Sequence, residues 1–246
     1  MSVITAPLLR VVHATPRSRL LVFDLHDHPL TFSAGQAVLI GSQGAAERRP
    51  YSIASSPQRA RETGELEVLV AVDDAGQAGA HLPHLDARVL IEIEGPVGTF
   101  IVPDDFTSTH VLLVAGGTGI APLRAMTDHL LRSRPATRIS LLYSARSHDE
   151  FAFIDELRQH AGKRRLELHQ TVTRDEGSSW IGGRGRIGQA HFEAVLHDPG
   201  DTLCFVCGPT SMVSEAVATL EALGVPPPLI RTEAWLRRLP EHVLES

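Results

Sequence analysis

The sequence predicts a two-domain β + α/β chain, with an antiparallel β unit over residues 1–104 and a parallel sheet with flanking helices over residues 105–246. Three observations carry this. Short runs in the first hundred residues alternate apolar and polar side chains between polar, Gly- or Pro-bearing turns. From about Thr107, apolar β runs alternate with helix-like segments, the rhythm of parallel strands joined by crossover helices. Near that change, Val111–Val114 leads into A-G-G-T-G-I-A-P and then an amphipathic stretch with Leu123, Met126, Leu130 and Leu131. That order reads as strand, glycine turn, helix.

Taken in order, Arg19–His26 and Gln36–Gly41 are strand candidates. Glu65–Val72 places Leu66, Val68, Val70 and Val72 on one face, and Arg88–Glu94 does the same with Val89, Ile91 and Ile93. Short strands at this spacing fit a barrel or a sandwich. G-P-V-G-T-F (Gly95–Phe100) reads as a turn closing that unit, and P-D-D-F-T-S-T-H (Pro103–His110) as the junction. Beyond it, β runs at Val111–Ala115, Ile139–Tyr143, Leu166–Val172, Leu203–Cys207 and Leu229–Thr232 alternate with helices at Pro122–Arg134, Asp149–His160 and Pro209–Leu223. Ligands of such a pair meet at the carboxyl ends of the parallel strands, facing the first unit.

Gly116, Gly117 and Gly119 let the backbone approach a bulky anion, and the helix opening at Pro122 supplies unpaired N–H groups and a positive dipole end. The spacing is neither G-x-G-x-x-G nor a P-loop, so an ordinary turn is the alternative. With 43% hydrophobic and 21% charged residues the composition is that of a soluble globular protein. A net charge of −6 gives no field for nucleic acid or an anionic membrane. No apolar run approaches a membrane span and the N-terminus lacks a signal-peptide layout, so a cytoplasmic location without membrane insertion is expected. Cys204 and Cys207 stand three apart in a strand-like run and should point to opposite faces, against a shared metal or a disulfide. They cannot hold an iron–sulfur cluster. His26, His28, His81 and His84 lie in turn-like segments and are expected to be solvated, with no metal bound.

In Arg49-Pro50-Tyr51-Ser52, the proline biases Arg49 toward an extended backbone, and a guanidinium fork suits a pyrophosphate. Tyr51 offers an aromatic face and Ser52 a hydroxyl; the alternative is a turn ending in a core tyrosine. R-P-Y-S-I-A-S-S-P (Arg49–Pro57), G-P-V-G-T-F, the glycine turn, Y-S-A-R (Tyr143–Arg146) and C-G-P-T-S-M (Cys207–Met212) occur in that order. This set resembles the ferredoxin–NADP reductase superfamily over roughly residues 5–235.

The resemblance implies an N-terminal antiparallel β-barrel carrying a flavin and a C-terminal Rossmann-like parallel sheet carrying a nicotinamide nucleotide. It implies flavin contacts from Arg49, Pro50, Tyr51, Ser52, Val70, Ala71 and Val72, and from a phosphate loop with Gly76, Gly79, Ala80 and His81. Gly79 stands where relatives carry a hydroxyl residue; FAD is favoured over FMN. For the nucleotide it implies Gly116, Gly117, Thr118, Gly119 and Pro122, then Ser144, Arg146, Thr173 and Arg174 around the ribose, and Cys207, Gly208, Pro209 and Met212 near the nicotinamide. Arg146 leans the donor toward NADPH over NADH; Arg174 has the alternative of pairing with Asp175 or Glu176, and Cys207 that of an inert buried thiol. Trp235 would cover the flavin and Glu233 would carry protons, making Ser52, Cys207 and Glu233 the catalytic candidates. The expected activity is an NAD(P)H-dependent flavoprotein oxidoreductase passing electrons to a separate acceptor protein: a ferredoxin, a flavodoxin or an oxygenase component. The alternatives are a flavin reductase using free flavin and a nucleotide-binding electron-transfer subunit.

Overall fold

The computed structural model describes residues 2–235 apart from 46, 74, 79, 80, 83–85, 87 and 176–179, and only the backbone of Trp235. Gly79, Ala80, His84 and Glu176 therefore lie outside the described residues. The first sheet comprises β1 (Ser2–Thr15), β2 (Ser18–Asp24), β3 (Ala37–Ser42), β4 (Arg49–Ser52), β5 (Glu65–Ala71) and β6 (Leu90–Val97), with helix α1 (Pro57–Thr63) between β4 and β5. Its order is β4-β3-β6-β1-β2-β5, with antiparallel pairing throughout. Ile53, just past β4, bridges Val68 of β5, so the two sheet edges meet and close a barrel. Leu66, Val68 and Val70 fill its interior with Ile91, Ile93, Leu21 and Phe23, as the alternation requires.

The sequence reading passed over β1. Pro7 interrupts it, which argues against a regular strand. Yet Ser2–Pro7 pair with β6 while Leu8–Thr15 pair with β2, and the proline falls at the handover. The reading also passed over α1, although its caps are all in the sequence. Ser56 accepts the Arg59 N–H, Pro57 opens the helix, and Gly64 ends it at φ 68°. Gly95–Val97 belong to β6 and pair with Ser2 and Ala37, rather than forming the expected turn.

The second sheet holds β7 (His110–Gly116), β8 (Arg138–Ala145), β9 (Glu167–Val172), β10 (Gly183–Arg184), β11 (Thr202–Pro209) and β12 (Ile230–Trp235). All pairings are parallel, in the order β10-β9-β8-β7-β11-β12. Helices α2 (Ile120–Ser133), α3 (Ile154–Gly162), α4 (Gln189–Val195) and α5 (Thr210–Ala222) connect the strands. Strand order reverses between β7 and β11, which opens a crevice at their carboxyl ends. Cys207 packs in the core on one face of the sheet and Cys204 in the core on the other, and both thiols are free.

Two boundaries differ from expectation. α2 begins at Ile120 after a 3-10 turn over Gly117–Gly119, so Pro122 is its third residue. It still lies among the first four positions, whose N–H groups have no intrahelical acceptor. The stretch expected to be one helix from Asp149 splits into a short turn (His148–Glu150) and α3, with Phe153 at φ 60° between them.

The units are joined by a buried charge cluster. Arg124 of α2, 3% exposed, pairs with Glu67 of β5 and Glu156 of α3, donates to the Ala54 carbonyl at 3.1 Å and lies over the Phe153 ring. Ser56 donates to Asp128, and Gln58 bonds His129 at 2.9 Å, extending the contact between α1 and α2. Among the described residues, no helix is long and apolar enough to cross a membrane.

Candidate active site

A cleft of about 400 Å³ opens at the switch point, between the carboxyl ends of the parallel strands and the barrel. The turn after β7 contributes Gly116, Gly117 and Thr118. Gly117 has φ 55° and a Cβ there would meet nothing within 4 Å, so the backbone presents an open, left-handed corner to the cleft. Gly119 has the opposite reason to be glycine: its Cβ would lie 2.3 Å from the Cys207 carbonyl oxygen. Tyr143 supports this turn from below, fully buried, donating to the Gly117 carbonyl at 3.3 Å and accepting from the Ala152 N–H at 3.1 Å.

The tip of β8 supplies Ser144 and Arg146, and the loop after β9 supplies Thr173 and Arg174. Backbone bonds from Thr173 to Ala145 and from Arg174 to Arg146, at 3.0 and 2.7 Å, hold these tips together. Asp175 bonds His148. Pro209 and Met212 line the far wall, and Ala71 and Val72 the barrel side. Val70 does not face the cleft. Its side chain is fully buried in the barrel interior, because successive residues of a strand alternate faces. Gly119, Pro122, Cys207 and Gly208 lie behind the lining. The sequence reading missed Arg17, Glu150, Arg186 and Glu215 in this cleft. They come from turns and helix faces with no distinguishing spacing.

Beside the cleft, the three catalytic candidates converge. Ser52 Oγ, at the end of β4, donates to Glu233 Oε2 at 2.8 Å, and the Cys207 thiol lies 3.8 Å from the same oxygen. Register produces the second contact, since Cys207 and Glu233 are paired across β11 and β12. Burial pushes the Glu233 carboxyl above its ordinary range, while the Ser52 and Cys207 hydrogen bonds pull it back. Burial, reinforced by Glu233, pushes the Cys207 thiol well up and keeps it neutral. The backbone of Trp235 pairs with Pro209.

On β4, Arg49 Nε donates to Glu47 at 3.0 Å. The Tyr51 hydroxyl meets His81 Nε2 at 2.6 Å, with the two rings stacked at 5.7 Å. His81 is therefore not solvated as expected. It is 2% exposed, burial lowers its pKa, and its Nδ1 has no partner among the described residues. Burial also pushes the Tyr51 phenol up to about 12. Gly76 holds φ 78° in a turn braced by Asp73, whose carboxylate accepts from the Ala75 and Gln77 N–H groups. A stacked aromatic pair, an orphaned buried nitrogen, a hydroxyl at the seam and an arginine on one short strand fit a ligand that is both aromatic and anionic.

The Oxidoreductase FAD-binding domain family matches residues 6–101 and the Oxidoreductase NAD-binding domain family residues 113–218. The chain is 32% identical over 242 residues to ferredoxin–NADP reductase B of Sorangium cellulosum (strain So ce56), covering 94% of this chain and 96% of that protein. It is 28% identical over 202 residues to the reductase component of phenol 2-monooxygenase from Pseudomonas sp. (strain CF600), covering 79% of this chain and 55% of that protein. The crystal structure of an Amycolatopsis cytochrome P450 reductase superposes with a TM-score of 0.84 at 25% identity, covering 96% of this chain and 70% of that one. A barrel and a parallel sheet whose ligand-binding ends face each other, with these matches on each, make the chain a member of the ferredoxin–NADP reductase superfamily: an NAD(P)H-dependent oxidoreductase with an FAD-binding and an NAD-binding domain.

Proposed function

We propose that this chain takes electrons from NAD(P)H and delivers them to a separate protein acceptor of the ferredoxin, flavodoxin or oxygenase-component class. The observation that carries this reading is the meeting of Ser52, Glu233 and Cys207 beside the nucleotide cleft. When bound, FAD supplies the redox chemistry, accepting hydride from the nicotinamide and giving up electrons to the acceptor. The protein's part is placement. Tyr51, fixed by His81, offers the ring a stacking face, and Arg49 offers charge for the pyrophosphate. Ser52 presents a hydroxyl at the seam, and the proton it shares with Glu233 lies where one is needed when charge changes nearby. Cys207, neutral and buried, packs the nicotinamide end of the cleft without ionising. We place the boundary between the two functional units at residues 104 and 105, between the end of β6 at Val97 and the start of β7 at His110.

A relative named as the reductase component of phenol 2-monooxygenase and a structural neighbour named as a cytochrome P450 reductase support an acceptor on another chain. Arg146 and Arg174 at the strand tips support NADPH as donor. Arg146→Ala is then expected to raise the NADPH Michaelis constant about tenfold and leave that for NADH unchanged; equal effects would remove Arg146 from the 2′-phosphate.

The reading is tested by the visible spectrum of desalted protein before and after anaerobic NADPH. A flavin spectrum that survives desalting and then bleaches is the expected result. Colourless protein that oxidises NAD(P)H only with added flavin would make the chain a flavin reductase. A coloured protein that neither nucleotide bleaches would leave the subunit reading.

A further inference from the structure

Of the four arginines that line the cleft among the described residues, Arg146, Arg174 and Arg186 belong to the α/β unit and Arg17 to the barrel. Arg17 sits in the tight turn between β1 and β2, on the barrel, and its Nη2 reaches across the seam to Glu150 Oε2 at 2.6 Å. Both side chains line the cleft with Gly117, Thr118 and Arg146. The turn beneath it is rigid. Thr15 and Ser18 share a 2.7 Å hydroxyl bond, Arg19 donates to the Thr15 and Ser18 carbonyls, and the Arg17 carbonyl accepts from Val72 at 3.0 Å. Arg17 Nε is buried and has no partner among the described residues. A buried guanidinium N–H without an acceptor calls for a reason. A guanidinium offers its donors in a planar fork matched to two phosphate oxygens, whereas Glu150 engages a single edge.

We propose that Arg17 is a nucleotide-binding residue that grips the pyrophosphate of the nicotinamide nucleotide from the barrel side, opposite the glycine turn. Glu150 is its resting partner, a carboxylate that the pyrophosphate displaces. The proposal rests on the reading that NAD(P)H occupies this cleft. It adds a charged contact from the barrel to a ligand whose other cationic contacts come from the α/β unit, so one nucleotide fastens the two units together and its nicotinamide end is placed relative to both.

The competing roles give the two partners opposite signs. Holoprotein is titrated calorimetrically with NADP⁺ and with NAD⁺, as wild type, Arg17→Gln, Glu150→Gln and the double variant. Arg17→Gln is expected to raise both dissociation constants about tenfold, the loss of one charge-assisted contact. Glu150→Gln is expected to lower both severalfold, and the double variant to resemble Arg17→Gln. Single variants that weaken binding alike would make the bridge a structural tie and overturn the proposal, as would unchanged binding in Arg17→Gln. An effect confined to NADP⁺ would move Arg17 to the 2′-phosphate and overturn the pyrophosphate assignment. Wild-type protein that binds neither nucleotide would overturn the cleft reading itself, and the proposal with it.

Discussion

Ser52 and Glu233, 181 residues apart in the chain, share a 2.8 Å hydrogen bond that joins the end of the barrel strand β4 to the last described strand of the parallel sheet. The proposed role makes Ser52→Ala a kinetic variant more than a binding one. Anaerobic stopped-flow mixing with NADPH should show flavin reduction slowed roughly tenfold or more, the worth of one hydrogen bond to a charged group, with the nucleotide dissociation constant changed less than twofold. A reduction trace identical to wild type would remove Ser52 from the chemistry. The same substitution takes away a bond that lowers the Glu233 pKa, so any pH-rate limb set by Glu233 should move to higher pH.

The seam itself depends on Arg124. With its side chain 4% exposed and Glu67 at 9%, this pair is buried against the Ala54 carbonyl and the Phe153 ring. Arg124→Met leaves the buried Glu67 carboxylate with only the more distant Arg59, 3.7 Å away, and should cost about 3 kcal/mol, the low end for a broken buried pair. In a chain of this size each kcal/mol is worth roughly 2–4 °C in Tm. The double variant Arg124→Met/Glu67→Leu should recover most of the loss, which guanidinium unfolding would measure. A double variant no better than Arg124→Met would show that packing, not the unpaired charge, sets the cost.

Arg124 and Glu67 also mark where sequence reasoning stops. Alternation along Glu65–Val72 correctly placed Leu66, Val68 and Val70 inside the barrel, because that face meets its own sheet. It gave no warning that Glu67 and Leu69, at 7% and 4% exposure, are buried on the other face. Glu67 meets a helix from the second unit and Leu69 packs in that unit's core, and no local period encodes a contact across 57 residues. The motifs that carry the family resemblance were legible for the opposite reason: turn, strand tip and helix start each need particular residue types within a few positions. His81 was misread because its burial depends on Tyr51, 30 residues upstream, which only barrel closure brings near. Arg17 and Glu150 were invisible for the same cause, a separation of 133 residues.

Acid should weaken the fold at a definable place. His110, at the start of β7, is 5% exposed and bonded to Thr202 and Ser140 at 3.1 and 2.9 Å. Burial lowers its pKa from 6.5 to about 4. Between those values the unfolded chain binds a proton that the folded chain refuses, so stability is fully present above pH 6.5 and is lost as pH falls toward 4. His110 can account for at most about 3 kcal/mol of that loss. His110→Gln should flatten the acid limb of a Tm-against-pH curve over this window while costing stability at pH 8. An unchanged limb would assign the acid sensitivity to the other histidines whose pKa burial lowers, His81, His129 and His160.

Gly117 and Gly119 separate two requirements of the glycine turn. A methyl group on Gly117 meets open space but must accept φ 55°, a strain of roughly 1–2 kcal/mol. On Gly119 the backbone conformation is ordinary, but the methyl would lie 2.3 Å from the Cys207 carbonyl oxygen and 2.9 Å from the Gly208 nitrogen. Those are backbone atoms of β11 and cannot rotate away, so the turn or the strand must shift. Gly119→Ala should therefore cost about 1–3 kcal/mol and displace Cys207 from Glu233. Hydride transfer depends on alignment to within about an ångström, so flavin reduction in Gly119→Ala should fall by about a hundredfold. Gly117→Ala should mainly raise the nucleotide dissociation constant, because its Cβ enters the space where the pyrophosphate is proposed to lie. Stopped-flow reduction at saturating NADPH distinguishes the two: a rate near wild type for Gly119→Ala would show that β11 yields without moving the thiol, and that the close Gly119–Cys207 packing does not position the reacting groups.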